Sequence, residues 1–375
     1  MFYRVLFLVM VFLKFLEFFK RGNNWPNKMK KIKAPLNFFL FPIGALCDTF
    51  VPFVFNFFTT RGRKGVTRST KIFYLICSFL ILITSCSNDD NKQPASTPTS
   101  GAVRIDVDES YSLLFDTEIF TFESLYKRAK IFVQYKSETD ALNDLIKDSC
   151  KVVVTNRVLT EAEKKQFAAA KIFPRTTKVA EDAVALIVNN ENPDTLISAD
   201  KLREILLGHD SLWKQISSKS KLAIINVVFD NNNSANARYM RDSIIKGEKF
   251  QKNCFALKSN PDVIDYVSRN KNALGIISVN WISDRDDTLS RHFLRKIKVM
   301  GVSKSESSGH YKPYQSYIKT KDYPFCRDVY MINRQTRAGL GMGFVSFVAG
   351  DKGQRIILKA GLIPAVAPVR IVNIR

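Results

Sequence analysis

Four stretches of the sequence combine the end of a β-like apolar run with a helix start that carries polar side chains. They are Asp108-Glu109-Ser110, Ser137-Glu138, Thr155-Asn156-Arg157, and the run from Asn231 to Asn236 that includes Ser234. In open α/β sheets such junctions lie at the carboxyl ends of strands, where ligands bind. A helix N-terminus offers unpaired N–H groups and a partial positive charge, and serine hydroxyls add short donors. Each serine taken alone is more often a helix cap, but four such junctions together favour an anion-binding site.

The elements that must position these junctions alternate between short β-like runs and amphipathic helical runs. The helical runs carry apolar residues at three-four spacing, and Thr160 with Glu163 predicts a capping box. Residues 183–188 form a continuous apolar run that we expect to be a strand buried on both faces. The other predicted strands are residues 103–107, 130–134, 151–154, 222–229, 274–279 and 297–302. The alternation predicts an α/β fold with largely parallel sheets.

The residues before this body predict export. Basic residues between Arg61 and Lys71 precede an apolar run from Ile72 to Ile83, then small residues and Cys86. The ending Ile83-Thr84-Ser85-Cys86 resembles the lipobox of bacterial lipoproteins, which implies cleavage before Cys86 and a lipid on its sulfur. The alternatives are a plain transmembrane anchor, or a cleaved signal with an incidental cysteine.

These features divide the chain. Residues 61–86 are the predicted lipoprotein signal peptide, and residues 87–101 are a flexible tether because they lack apolar groups. Residues 1–60 hold two phenylalanine-rich apolar runs, either of which could be read as a membrane span. Because a signal behind such a segment is unusual, we hypothesise that the true start lies just before Arg61 and that residues 1–60 are a mis-called extension. Against this, no methionine lies between Met29 and Cys86.

Charge and cysteine usage exclude some classes of function. The net charge is +22, but half of it lies in residues 1–71, so the remaining chain is only mildly basic. No Lys/Arg block or aromatic-basic interleaving is present, which argues against nucleic acid. Cys150, Cys254 and Cys326 have no metal-ligand spacing, so no metal is predicted; they form at most one disulfide or remain buried thiols. The isolated His209, His292 and His310 give no support for nucleophilic catalysis.

Several segments of the body share an order and spacing with one known family. They are residues 182–189 (DAVALIVN), 202–208 (LREILLG) with Trp213, 272–277 (NALGII), 323–325 (YPF) and 353–364 (GQRIILKAGLIP). On these segments the body, over about residues 101–365, resembles the PstS-like phosphate-binding proteins of ABC phosphate transporters. The resemblance implies a type II periplasmic-binding-protein fold with two lobes and hinge crossovers. Lobe one is expected at residues 102–182 and 296–375, and lobe two at residues 183–295, with crossovers near residues 183–189 and 281–298.

The anion loops of that family match this chain only in part. The resemblance implies ligand contacts from each loop, and charge compensation by Arg157 or Arg238 in place of a family arginine that this chain lacks. The residues carried over are Glu109, Ser110, Ser137, Glu138, Thr155, Asn156, Arg157, Ser234, Asn236 and Arg238. Several loop glycines of the family are replaced, among them those that flank Ser137.

Glu138 or Glu109 could let such a site distinguish phosphate from sulfate. Phosphate near neutral pH keeps a proton that it can donate to a carboxylate, whereas sulfate would leave the carboxylate as a repelling charge. Either glutamate could instead sit in a first helical turn, where the helix dipole favours it. If Glu138 is the acceptor, its replacement by glutamine should relax the preference for phosphate.

The sequence therefore predicts a monomeric lipoprotein of the cell envelope, anchored to the membrane through Cys86, with its body in the periplasm or on the cell surface. It would bind an oxyanion, with phosphate as the leading candidate, and deliver it to an ABC permease without covalent chemistry or a cofactor. A second interpretation is an envelope interaction or scaffold protein that kept this fold and lost its small ligand. An enzyme acting on a phosphorylated compound ranks third, because no base and nucleophile pair is evident.

Overall fold

A computed structural model describes residues 96–367, which lie within one compact unit, Asp89–Arg375. The proposed extension (1–60), the signal peptide with Cys86, and the first part of the tether lie outside the described residues. Among the residues that are described, no helix is long and apolar enough to cross a membrane.

The described residues contain twelve strands and eleven α-helices. The strands are β1 (Ser100–Asp108), β2 (Arg128–Lys136), β3 (Val152–Thr155), β4 (Arg175–Asn189), β5 (Leu196–Ser198), β6 (Asn226–Phe229), β7 (Cys254–Ala256), β8 (Ala273–Ser278), β9 (Ile297–Val299), β10 (Gly301–Ser303), β11 (Cys326–Asn333) and β12 (Ile363–Pro364). The helices are α1 (Ser112–Leu125), α2 (Glu138–Ile146), α3 (Glu161–Ala169), α4 (Ala199–Leu207), α5 (Ala235–Tyr239), α6 (Asn260–Arg269), α7 (Asn280–Ser283), α8 (Thr288–Lys296), α9 (Gln315–Lys319), α10 (Leu340–Ala349) and α11 (Asp351–Lys359). A π-helical turn, Met240–Ile244, extends α5.

The main sheet is mixed and is organised around the long strand β4. Its order is β2-β1-β3-β11-β4-β8-β6-β7, and β9 and β12 also pair with β4. Strands β1, β2 and β3 are parallel to one another, as are β6, β7 and β8. Strand β11 is antiparallel to both β3 and β4, and β8 is antiparallel to β4. The prediction of largely parallel sheets is therefore wrong at the centre of the sheet, where β11 and β4 lie.

Strand β4 belongs to both halves of the sheet. Its first part pairs with β11 as far as Ala183, and its second part pairs with β8 from Val184 onward. Residues 183–188 are completely buried, as the continuous apolar run predicts. Strand β9 pairs with the end of β4, and β10 pairs with β5 in a separate two-stranded sheet.

The start of the body is fixed against α10. Strand β1 begins at Ser100, and the Ser96 hydroxyl oxygen accepts a hydrogen bond from the Leu340 amide at 3.0 Å. A Cβ placed on Gly343 would come within 1.8 Å of the Pro98 carbonyl oxygen, so only glycine permits this approach. Residues 96–101, which the sequence assigns to the tether, thus pack on the body.

The helix caps agree closely with the sequence pattern. Ser137 caps α2, Ser198 caps α4 and Ser234 caps α5, each by accepting a backbone N–H. Thr160 and Glu163 form the predicted capping box at the start of α3. The predicted strand at residues 222–229 is shorter, and that at 297–302 is divided into β9 and β10.

Candidate functional site

The topology brings the strand ends of both halves of the sheet to the middle of β4. Strands β1, β2 and β3 run in the direction of β4, whereas β6 and β8 run in the opposite direction. Strand β8 ends at Ser278, which lies opposite Val184 of β4. The carboxyl ends of the two groups of parallel strands therefore point toward each other, and the loops that follow them meet there. Three of the four predicted junctions come from the first group, and the fourth follows β6.

A buried ion pair lies at this meeting point. Arg327 of β11 is the cross-strand partner of Asp182 of β4, and its Nε and Nη2 atoms donate to Asp182 Oδ2 at 3.0 and 2.8 Å. The same carboxylate oxygen accepts hydrogen bonds from the Tyr111 hydroxyl at 2.9 Å and the Ser278 hydroxyl at 3.0 Å. Asp182 thus joins the loop after β1 to the end of β8. Burial disfavours the charged guanidinium, but Tyr111 and Asp182 raise the pKa of Arg327 above its ordinary value.

A second ion pair connects the loops after β2 and β6. The Glu138 carboxylate, in the first turn of α2, accepts hydrogen bonds from Nε and Nη2 of Arg238 in α5. Its Oε1 atom also accepts from the Thr155 hydroxyl at 2.5 Å and the Asn156 amide at 2.9 Å. Next to this pair, the Thr139 amide and hydroxyl donate to the Asn233 carbonyl at 3.4 and 3.2 Å. One hypothesis from the sequence makes Glu138 the acceptor of the phosphate proton. In the structure both of its carboxyl oxygens already accept hydrogen bonds from the protein, so Glu138 is not free for that role.

A third group of contacts surrounds Asp230, directly after β6. Its carboxylate accepts from the Ser234 hydroxyl at 2.6 Å and from the side-chain amides of Asn236 and Asn260 at 2.9 and 3.1 Å. The Asn260 amide also donates to Glu109 Oε2 at 2.6 Å. The first residue of α6 thus connects Glu109 in the loop after β1 with Asp230 in the loop after β6.

A cavity of about 200 Å³ lies among these loops. This volume is below the roughly 300–1,000 Å³ of pockets for drug-sized molecules, so it suits a small ligand. Its walls carry three carboxyl groups, two lysines and several neutral polar side chains. They are Asp108, Glu109, Asp230, Lys136, Lys258, Tyr135, Ser137, Asn231 and Ser234.

The carboxyl groups of the cavity hold their protons more strongly than free carboxyl groups do. Burial is the main cause that raises the pKa of Asp108 to about 7, and Glu138 adds to it. Burial likewise raises the pKa of Glu109 to about 7, against the hydrogen bond from Asn260. It also raises the pKa of Asp230. Near neutral pH Asp108 and Glu109 can therefore donate hydrogen bonds as well as accept them.

Several buried polar atoms in this network have no hydrogen-bond partner among residues 96–367. Three are most relevant to a ligand: Asp108 Oδ2, the Ser110 hydroxyl, and Arg327 Nη1. Asn156, Asp182 and Asn236 each have one such side-chain oxygen as well. Unpaired buried polar atoms are rare in folded proteins, and a cluster of them at converging strand ends is typical of a polar binding site.

The sequence-predicted residues separate into two groups. Arg157 does not line the cavity; its guanidinium forms two 2.7 Å hydrogen bonds with Glu163 of α3. That contact is the largest cause that lowers the pKa of Glu163 to about 2. The other nine lie in the connected network or along the cavity, and they are Glu109, Ser110, Ser137, Glu138, Thr155, Asn156, Ser234, Asn236 and Arg238.

Sequence reasoning missed the residues that join the loops, chiefly Arg327, Asp182 and Asn260. Asp182 was visible only as the residue before an apolar strand, and Asn260 only as the neighbour of a helix-starting proline. Arg327 lies on β11, which the sequence analysis did not identify. The one signal for Arg327 in the sequence is its position two residues before a strand-like Val-Tyr-Met-Ile run, residues 329–332.

The described residues show neither a metal cluster nor a disulfide. No group of three or more His, Cys, Asp or Glu side chains within residues 96–367 could hold a metal ion. Cys150, Cys254 and Cys326 are free thiols, and burial raises the pKa of each one above the ordinary value. The sequence left either one disulfide or free thiols among these three cysteines, and the structure has free thiols.

Comparisons with known proteins agree with this architecture. Residues 92–352 match the model of the PBP superfamily domain. The phosphate-binding protein PstS of Borreliella burgdorferi is 21% identical over 290 residues, which are 75% of this chain and 94% of that protein. PstS of Staphylococcus aureus is 25% identical over 206 residues, 53% of this chain and 59% of that protein.

Two solved structures have a similar fold. One comes from Clostridium perfringens and is assigned as a phosphate ABC transporter substrate-binding protein with bound phosphate. Its TM-score is 0.61 at 19% sequence identity, and the match covers 71% of this chain and 100% of the Clostridium protein's chain. An ABC-type phosphate transport receptor from Vibrio cholerae has a TM-score of 0.54 at 21% identity, covering 70% of this chain and 100% of its own. The α/β fold of periplasmic-binding-protein type predicted from the sequence is confirmed, and the chain belongs to the PBP superfamily.

Proposed function

We propose that this protein is a solute-binding protein that holds an oxyanion, phosphate in particular, between the two halves of its sheet and delivers it to an ABC permease. The observation that carries this proposal is the small polar cavity at the converging strand ends, with the unpartnered Ser110 hydroxyl and Arg327 Nη1 buried in the same network. The relatives named as phosphate-binding proteins point to the same ligand.

The charges around the cavity favour an anion that carries a proton. Lys258 supplies positive charge at the wall, and the ammonium group of Lys136 is paired with Asp106 and Asp144; Asp108, Glu109 and Asp230 would repel an anion once they ionise. Because the pKa values of Asp108 and Glu109 are raised to about 7, repulsion is weak below neutrality. Above it, phosphate can donate its proton to a carboxylate, which sulfate cannot do. The Asp108 carboxyl group, rather than Glu138, is the acceptor that we propose for this role, since Asp108 lines the cavity and its Oδ2 atom has no partner among the described residues.

Binding would couple to closure of two lobes. The sequence places lobe one at residues 102–182 and 296–375, and lobe two at 183–295. We keep the first crossover at residues 183–189, where β4 changes partners from β11 to β8. We move the return crossing from residues 281–298 to the segment between Ser303 and Cys326, because β9 pairs with the end of β4 and β10 with β5. Opening would separate Glu138 from Arg238 and Glu109 from Asn260.

The remaining parts of the proposal come from the sequence. A lipid on Cys86 would anchor the protein to a membrane of the cell envelope, with residues 87–95 as a spacer and the body outside the cytoplasm. The protein would act as a monomer and as a carrier, with no covalent chemistry and no cofactor.

Thermal unfolding of the full chain in detergent, after exhaustive dialysis, tests the proposal. A ligand that binds only the folded state raises the melting temperature by mass action. We expect a clear increase with phosphate and arsenate, and little increase with sulfate or molybdate. If no oxyanion changes the melting temperature at millimolar concentration, the proposal is wrong.

The second candidate is an envelope interaction or scaffold protein with no small ligand. The observation that favours it is the closure of the loops by the protein's own Glu138–Arg238 ion pair, next to a cavity with three carboxyl groups. This candidate predicts the absence of any oxyanion effect in the same experiment.

A further inference from the structure

The Glu138 side chain is held in the way that a bound oxyanion would be held. Two parts of the fold supply its three donors: the Thr155 hydroxyl at the end of β3 with the backbone amide of Asn156 directly after it, and the Arg238 guanidinium from α5. A hydroxyl, a backbone N–H and a guanidinium are the groups that proteins use to bind phosphate and carboxylate. Thr155 and Asn156 belong to the first half of the sheet, and Arg238 follows β6 in the second.

Chain neighbours of Glu138 and Arg238 line the candidate cavity. Ser137 and Ser234 are both wall residues; Ser137 directly precedes Glu138, and Ser234 lies one helical turn before Arg238. The charge of Glu138 also helps to raise the pKa of the wall residue Asp108, so the Glu138 carboxylate lies close to the cavity although it is not part of its walls. The Asn233 carbonyl, which accepts hydrogen bonds from Thr139, closes the loops beside the same place.

The Glu138 carboxylate is an ionised, fully buried group. Its exposed fraction is 1%, so burial alone would raise its pKa. The charge of Arg238 and the hydrogen bonds from Arg238, Thr155 and Asn156 outweigh that effect and lower the pKa below its ordinary value. Oε1 already accepts three hydrogen bonds, and Oε2 accepts from Arg238 Nε. A second anion cannot use the same donors while this charge remains there.

We propose that Glu138 is an internal anion that occupies an oxyanion-binding set formed by Thr155, Asn156 and Arg238, and that an external oxyanion competes with it. This inference rests on the proposed function and identifies part of the site. Glu138 thereby sets a threshold for the ligand: an incoming anion must interact with these donors more strongly than a carboxylate that is already tethered in place. A dianionic oxyanion with several acceptor oxygens can do so, whereas a monocarboxylate gains nothing.

The competition also explains why the loops are closed by the protein's own side chains. The Glu138–Arg238 contact joins the two halves of the sheet in the same manner as a ligand bound between them. Removing Glu138 should vacate the donors, weaken this internal closure, and let an external anion take its place.

Calorimetric titration of the full chain in detergent with phosphate, at constant ionic strength, tests the inference through Glu138→Ala. Without the internal carboxylate, phosphate should bind at least about tenfold more tightly than to the unmodified protein, because charge-assisted hydrogen bonds are regained without displacement. Asp242→Ala is the matched control. Asp242 lies 3.8 Å from Arg238 Nη1 but shares no donor with Glu138, so its loss should change the affinity by less than about threefold.

Acetate provides a second readout that a purely structural role would not affect. In Glu138→Ala, acetate should fill the vacated position and compete with phosphate, whereas it should have no effect on the unmodified protein. Glu138→Gln keeps the shape of the side chain and should give an intermediate gain in phosphate affinity. It replaces Glu138→Ala in the titration if the alanine variant does not fold.

The outcomes separate the inference from the proposed function. Phosphate binding that is equal in the unmodified protein and in the Glu138 variants, or lost in them, would overturn the inference and leave the binding function intact. No oxyanion binding by the unmodified protein or by either variant would overturn both. The inference is supported if the Glu138 variants bind phosphate more tightly, if acetate competes with phosphate in Glu138→Ala, and if the phosphate affinity of Asp242→Ala is unchanged.

Discussion

Asp182 and Arg327 face each other on neighbouring antiparallel strands, at the place where β4 passes from one half of the sheet to the other. Both side chains are buried, with 0% and 3% of their surfaces exposed. Tyr111 and Ser278 contact the same Asp182 oxygen, so one carboxylate joins the loop after β1, strand β11 and the end of β8. The pair is therefore a structural centre around which the candidate site is built.

Replacing Asp182 by asparagine should lower the free energy of unfolding by about 3–5 kcal/mol, because the buried Arg327 charge then lacks its partner. Urea denaturation measures this change. Asp328→Asn is the control, since Asp328 is the next residue on β11 but the side chains of its pair with Lys178 are 35% and 36% exposed, and its loss should cost less than about 1 kcal/mol. Equal effects of the two substitutions would contradict the central role of the buried pair.

Asp108→Asn should reduce discrimination between phosphate and sulfate, and the effect should grow with pH. The pKa of Asp108 is raised to about 7, so between pH 6 and pH 8 the carboxyl group ionises and repels sulfate, while phosphate can donate a proton to it. Affinities for both anions at pH 6 and pH 8 measure this. In the unmodified protein the preference should increase with pH by about tenfold, and in the variant the increase should be clearly smaller, because only Glu109, whose pKa is also raised to about 7, still ionises in this range at the cavity wall. A preference that is independent of pH in the unmodified protein would exclude Asp108 as the acceptor.

Glu118→Gln should stabilise the protein at alkaline pH. Glu118 of α1 is completely buried, neither of its carboxyl oxygens has a hydrogen-bond partner among residues 96–367, and burial raises its pKa to about 9. A raised folded-state pKa means that its contribution to stability is complete below the unfolded-state value and is lost as the pH rises through about 9.

Urea denaturation at two pH values tests this expectation. At pH 8 the glutamine variant should be more stable by roughly 4 kcal/mol, and near pH 4.5 the difference should nearly disappear. A variant less stable than the original protein at pH 8 would show that the Glu118 carboxyl group has an important partner.

Arg157 and Arg238 should differ in their importance for binding, although the sequence offers both as charge partners of the ligand. Arg157 is held by Glu163 and lies outside the cavity walls, so Arg157→Gln should change phosphate affinity by less than about threefold. Arg238→Gln removes a donor of the proposed anion set and should weaken binding by about tenfold or more. Calorimetric titration compares the two variants, and a larger loss for Arg157→Gln would contradict this assignment.

Local features of the fold could be predicted because they are encoded over a few residues. Ser137 and Ser234 cap helices as expected, and the apolar run at residues 183–188 is a buried strand. Strand β11 was not predicted because two charged residues, Arg327 and Asp328, stand near its start, and Arg327 occupies a buried position where a charge is rare. The partner that makes Arg327 acceptable is Asp182, which is distant in sequence and therefore invisible to a local pattern.

The site was predictable as a set of loops but not as a set of contacts. Strand order places the junctions together, and nine of the ten predicted residues lie in the network or along the cavity. Their roles depend on pairing across the fold: Glu138 meets Arg238 a hundred positions away, whereas Arg157 meets Glu163 six positions away. A sequence shows which side chains are charged, but not which charges neutralise each other.

The most direct test of the account is to locate the anion. Crystals of the protein grown with arsenate, which scatters anomalously, would show its position in an anomalous difference map. We predict one arsenic peak between the loops, within hydrogen-bonding distance of a donor from the first half of the sheet, such as Ser137 or Thr155, and one from the second, such as Ser234 or Arg238. A map with no peak there, or with arsenate bound only elsewhere on the molecule, would contradict it.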